Sequence, residues 1–158
     1  MVGPADRKPS RTQRLGAYAV VIDGGRILLT RISPVGFPVG HWTLPGGGVD
    51  HGESPGVAVR RELFEETGLE AITVRLVDIH DVHVVDTGRD DAYEDYHGVH
   101  LLYAVQVDAT IAAHVVDVGG TTDLVQWVRL DEIGSVVRPV LPVVSHVLER
   151  LAQFGGAE

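Results

Sequence analysis

Cysteine is absent from this 158-residue chain, which excludes a disulfide framework, a thiolate zinc site and a cysteine nucleophile. Any metal must be held by oxygen or imidazole ligands, and that points towards hard cations. Long apolar runs are missing as well. The longest, Ala17 to Ile22, is far short of a membrane span, and no apolar h-region stands near residue 1. A cytoplasmic protein is the resulting expectation. Positive charge is scarce, with 13 Lys and Arg against 22 Asp and Glu and a net charge of −9. Arg7, Lys8, Arg11 and Arg14 all lie in the first 14 residues, so the rest of the chain is more acidic still. Such a body repels nucleic-acid backbones, which argues against duplex binding and leaves small phosphorylated molecules as partners.

What is present suits one domain. Hydrophobic residues make up 44% and charged residues 22% of the chain, outside the disordered range. Residues 1–14, with Pro4, Pro9 and clustered charge, are expected to form a flexible basic tail, and 15–158 a single domain compatible with a homodimer. Gly16 to Asp23 and Arg26 to Arg31 are β-rich runs around Gly24 and Gly25, the mark of a primed hairpin. Ala71 to Asp86 and Gly98 to Val107 read as paired strands, the first with a phase slip near Val77 to Ile79 that indicates a bulge. Thr87 to Tyr96 is expected as an acidic loop between them. Leu124 to Leu130 reads as another strand and Pro142 to Phe154 as a closing helix. Strands before, between and after two helices, without regular βαβ alternation, predict an α/β (α+β) fold with a mixed sheet between helices.

The helix predicted over Pro55 to Thr67 carries the chemistry. Ser54 suits its N-cap, Pro55 its first position and Gly68 the left-handed C-terminal position. At 100° per residue, Glu62, Glu65 and Glu66 share an arc of about 100° on one face. Like charges at this spacing destabilise a helix unless a cation compensates them, and Arg61, four residues before Glu65, supplies only part of that compensation. A divalent ion would supply the rest, since magnesium prefers carboxylate, water and phosphate oxygens. Val59 and Leu63 flank the acidic face while Val57 and Phe64 lie opposite, so the helix is expected to pack on two sides.

Gly47, Glu53, Arg61, Glu62, Leu63, Glu65, Glu66, Gly68 and Leu69 stand at the spacing Gly, five residues, Glu, seven residues, Arg-Glu-apolar-any-Glu-Glu-any-Gly-apolar. A chance match to the seven Gly, Glu and Arg places anywhere in a chain of this composition is roughly one in a million. This segment resembles the Nudix box of the MutT-like hydrolases. The resemblance implies an α/β/α sandwich and hydrolysis of a phosphoanhydride bond, in a nucleoside diphosphate linked to another group or in a nucleoside triphosphate, with Mg2+ or Mn2+. It further implies Glu65 and Glu66 as principal metal ligands, Glu62 as a further ligand or general base, and the Gly46 carbonyl as an additional ligand. Glu53 would support the metal shell and Arg61 would orient the carboxylates. A noncatalytic nucleotide-sensing domain is the alternative, and intact Arg61, Glu62, Glu65 and Glu66 argue against it.

Outside the box the signals are weaker. Glu94, Asp95, Asp117 and Asp123 are the candidates for one more acidic ligand. Tyr93, Tyr96, Phe37 and Trp42 are candidates for stacking on a base, with core packing favoured for Trp42 because it lies next to the expected strand. Arg31 is a candidate phosphate contact or a surface ion pair. His80 with His83 and His97 with His100 fall on predicted strands, where residues three apart point to opposite faces, so neither pair can chelate one ion. Only cross-strand pairing would bring one from each together. No proline lies between Leu69 and Asp108, which departs from the pattern of many ADP-ribose pyrophosphatases, and no substrate subfamily is indicated.

Overall fold

The computed structural model describes residues 8–88 and 91–155. It contains two sheets side by side with one helix on each side. The first sheet runs in the order β5 (Gly46–Gly48), β1 (Ser10–Val20), β7 (Tyr93–Gln106), β6 (Thr73–Thr87). It is mixed, as expected: β1 and β7 are parallel and the other pairs antiparallel. The second sheet, all antiparallel, joins β2 (Ile22–Asp23), β3 (Arg26–Ile32) and β4 (Trp42–Thr43), with β8 (Thr122–Arg129) on the other edge of β3.

Strand alternation builds two cores. Ala17, Ala19 and Val21 of the first run, Leu28 of β3 and Tyr103 and Val105 of β7 pack with Ala58, Val59 and Leu63 of helix α1 (Pro55–Thr67). Val20, Ile27, Leu29, Leu102 and Val128 face the other way, onto Val143, Val144 and Val147 of helix α2 (Pro142–Leu148). Trp42 is buried in this second core, as its position suggested.

The hairpin turn is as read: Gly24 and Gly25 both have positive φ, 54° and 72°, which a two-residue primed turn requires. The bulge in β6 is also present, between Leu76 and Asp78. Several expectations are corrected. The run Gly16 to Asp23 is divided, because the chain passes from the first sheet to the second after Val20. Strand β1 begins at Ser10, so the last five residues of the expected tail are strand, paired with Glu94 to Gly98; residues 1–7 lie outside the described part. Consequently β7 starts at Tyr93, and Thr87 and Tyr93 to Tyr96 of the expected acidic loop are ladder. The closing helix ends at Leu148 and is followed by a separate 3-10 turn, Leu151–Phe154.

Candidate active site

Helix α1 has both ends fixed locally. Ser54 Oγ accepts from the Val57 N–H at 3.3 Å, an interaction worth about 1 kcal/mol, and Gly68 takes the left-handed conformation at φ 69°. Packing is one-sided: Ala58, Val59 and Leu63 are buried, whereas Val57 and Phe64, expected to pack, are 56% and 43% exposed. The last turn is held from outside. The His114 N–H donates to the Thr67 carbonyl at 2.8 Å, and the Val116 and Asp117 N–H groups donate to the Glu65 carbonyl at 2.9 Å, which satisfies acceptors that a helix end leaves open.

The acidic side of α1 lies against the glycines of β5. A Cβ built on Gly47 would stand 2.7 Å from Glu62 Cδ and Oε1, and one on Gly46 would stand 2.7 Å from the Tyr18 Cα. Glycine is therefore required here by close approach.

Arg61 ties the carboxylates together. Its Nε donates to Glu53 Oε1 at 2.8 Å and its Nη2 to Glu53 Oε2 at 3.0 Å. Its Nη1 donates to Glu62 Oε1 at 2.9 Å and Glu65 Oε2 at 3.3 Å, and Nη2 also reaches the Gly48 carbonyl at 3.2 Å. The Arg61 fork, helped by the Asp50 N–H, holds Glu53 down to about 2. Glu62 moves the other way, because burial raises it more than Arg61 lowers it.

Glu66 is the buried member. Its Oε2 accepts from the Gly46 N–H at 2.9 Å and its Oε1 from the Thr122 hydroxyl at 2.6 Å. Loss of solvent pushes it up to about 7 despite those two donors. Tyr18 borders the cluster; its ring packs edge-on against His100 with centroids 4.9 Å apart, and burial keeps its phenol protonated. Sequence reading missed both Thr122 and Tyr18. Neither belongs to a local motif, and only strand pairing brings them to the helix.

The oxygen set fits a hard divalent cation in kind: the carboxylates of Glu53, Glu62, Glu65 and Glu66 lie beside the closely packed glycines of β5, with Arg61 bonded to three of the four. Among the described residues no three His, Asp or Glu side chains form a ready-made cage, since Arg61, Gly46 and Thr122 hold the carboxylates instead.

A family profile described as the NUDIX domain matches residues 12–151. The chain belongs to the NUDIX family. It is 52% identical over 40 residues to an RNA pyrophosphohydrolase of Cereibacter sphaeroides, spanning only 25% of that relative's length. To an RNA pyrophosphohydrolase of Rhodopseudomonas palustris it is 31% identical over 122 residues, covering 71% of this chain and 67% of the relative. Among solved structures, a MutT NUDIX hydrolase from Burkholderia pseudomallei is 28% identical, with a TM-score of 0.67 over 89% of this chain and 98% of that one. The NUDIX domain of Shewanella oneidensis NrtR, solved with ADP ribose, superposes with a TM-score of 0.68 at 22% identity, covering 96% of this chain and 92% of that one, and shows the fold alone.

The other sequence candidates have their side chains engaged elsewhere or exposed, although the Asp117 N–H meets the Glu65 carbonyl and Asp123 follows Thr122. Asp123 pairs with Arg31, Nε to Oδ1 at 2.9 Å, so that arginine is in an ion pair. Asp95 accepts from His83 and lies 3.5 Å from Arg11; Glu94 sits opposite Asp86; Asp117 is exposed. Among the described residues none of these four side chains bonds to Glu53, Glu62, Glu65 or Glu66. Phe37 is 63% exposed, Tyr93 is 39% exposed, and Tyr96 is half-buried beside Gly98. The histidines do pair across the ladder, His80 opposite His100 and His83 opposite His97.

Proposed function

We propose that this chain is a divalent-cation-dependent hydrolase of a phosphoanhydride bond, acting on a small nucleotide: a nucleoside triphosphate, or a nucleoside diphosphate carrying a further group. The observation that carries the reading is the gathering of Glu53, Glu62 and Glu65 about Arg61, with Glu66 held beside them by the Gly46 N–H at the closely packed glycines of β5. The names of the curated relatives and of the 28% identical structure support it.

On this reading Glu65, Glu66 and Glu62 hold Mg2+ or Mn2+, with the Gly46 carbonyl as a further oxygen. The bound cation neutralises phosphate charge and lowers the pKa of a water. Glu62 serves as a further ligand or as the general base that takes the proton of the attacking water, a role that the rise in its basicity on burial supports. Arg61 fixes the Glu62 and Glu65 carboxylates by charge-assisted hydrogen bonds, and Glu53 fixes Arg61 in turn. The carboxylates and Arg61 all come from one chain, an arrangement compatible with a homodimer. An acidic body and an all-oxygen donor set suit a small anionic substrate in the cytoplasm better than duplex nucleic acid.

The test is product analysis with nucleoside triphosphates, oxidised nucleotides, dinucleotides, nucleotide sugars and a short RNA bearing a 5′-triphosphate, each with Mg2+ or Mn2+. Glu66→Gln is the control. Cleavage that the variant loses by orders of magnitude supports the proposal, and the bond broken names the substrate class. Cation and nucleotide binding without turnover would favour a sensing domain instead.

A further inference from the structure

Strand β8 does not enter the second sheet smoothly. Its partners run from Arg26 opposite Arg129 to Arg31 opposite Leu124, and then Ile32 stands opposite Thr122, so Asp123 is an extra residue. A bulge of this kind re-aims the side chains around it. Asp123 stays at the surface and takes both nitrogens of the Arg31 fork, at 2.9 and 3.2 Å. Thr122 is 6% exposed and donates to Glu66 Oε1 at 2.6 Å. The approach to the bulge is fastened as well, because the Ser33 N–H donates to the Thr121 carbonyl at 2.8 Å and the Ser33 hydroxyl to the Gly120 carbonyl at 2.7 Å.

We propose that Thr122 is a positioning residue of the carboxylate site: the bulge pinned by Arg31 and Asp123 aims its hydroxyl at Glu66 Oε1, which with the Gly46 N–H on Oε2 fixes the plane of that carboxyl group. The inference rests on Glu66 being a cation ligand. Each oxygen of a carboxylate has two acceptor positions. One donor on each oxygen therefore leaves one position per oxygen for a cation while removing the freedom of the group to turn away. Without the hydroxyl, the Gly46 N–H alone holds Glu66 at one end, and a cation must pay the ordering cost that the fold now covers.

The test uses the full chain and Mn2+ alone, with uptake followed by loss of the free-ion signal in electron paramagnetic resonance and melting temperature recorded in parallel. Thr122→Val, nearly equal in volume, is expected to weaken Mn2+ binding about tenfold, within the range for partners of metal ligands. Thr122→Ser keeps the hydroxyl and is expected to bind as the parent does. A Thr122→Val protein that takes up Mn2+ like the parent overturns the proposal. So does equal weakening in the serine and valine variants, which would mark a packing role. If the valine variant does not fold, Thr122→Ser against Thr122→Ala decides: tighter binding by serine supports the role, and equal binding overturns it. A parent chain that binds no Mn2+ brings down the carboxylate reading itself, and Thr122 with it.

Discussion

His80 and His100 face each other across the β6–β7 ladder with their Nδ1 atoms 3.4 Å apart. Such a pair is compatible with one proton between the two nitrogens and not with two. His146 of α2 packs against His80 and donates to or is paired with Asp78, its Nε2 2.8 Å from Oδ2. Burial, and then the charge of His80, pushes His100 down to about 4, with Asp81 opposing. Burial and His146 lower His80, against Asp81 and Asp78. A histidine whose folded pKa is depressed stabilises the fold above its unfolded value near 6.5 and loses that contribution as pH falls. This contribution to melting temperature should thus decline from about pH 6.5 towards pH 4, while buried Glu66, pushed up to about 7, acts in the opposite sense over the same range. A His100→Phe variant loses the histidine contribution, so its melting temperature relative to the parent should rise as pH drops; a constant difference would remove this pair as a cause.

Glycine at position 47 is required by Glu62 rather than by the backbone. The atoms an alanine methyl would meet are the far end of the Glu62 side chain, which can swing aside at little cost to the fold. Gly47→Ala should therefore melt within a few degrees of the parent while losing most of its turnover. Circular dichroism and initial rates on one preparation separate the two effects, and full activity would exclude Glu62 from the reaction.

Gly68→Val should act in the opposite sense, on stability. Position 68 has φ 69°, and a Cβ there would stand 2.6 Å from His114 Cε1. The left-handed conformation alone costs a β-branched residue at least ~1 kcal/mol, or about 2–4 °C in melting temperature for a chain of this size. An unaltered melt would contradict the cap.

Arg61→Lys keeps the charge but not the fork. Arginine serves Glu53 through two nitrogens and reaches Glu62, Glu65 and the Gly48 carbonyl with the same group; a single ammonium cannot span that set. Turnover is expected to fall at least tenfold, on the order seen when partners of metal ligands are removed. Rates equal to the parent would show that charge alone suffices.

The parts of this molecule legible in the sequence are those fixed by near neighbours. Ser54, Pro55 and Gly68 mark helix α1 because caps act within a turn, and its observed span is Pro55–Thr67. Gly24 and Gly25 mark a hairpin for the same reason. Glu94, Asp95 and Tyr96 read as loop because they are polar, yet they are strand because Ser10, Arg11 and Thr12 lie beside them. Thr122 carried no signal at all; its role depends on a bulge opposite Ile32, some ninety residues earlier in the chain. The helix wheel put Val57 and Phe64 on a packed side, but no element among the described residues covers that side, and both remain exposed. For the site, the box residues were legible as a set, while the threonine and tyrosine around them were not.

The parallel seam between Ser10–Arg14 and Glu94–Gly98 bears on how the chain tolerates trimming. A protein shortened to start at Leu15 would retain every carboxylate of the cluster. It would also bare the main-chain donors and acceptors of β7 over that stretch, creating an open strand margin next to Tyr96 and Val99. Margins of that kind recruit strands from other molecules, so loss of the amino-terminal residues should be felt first as poor colloidal behaviour rather than as lost chemistry.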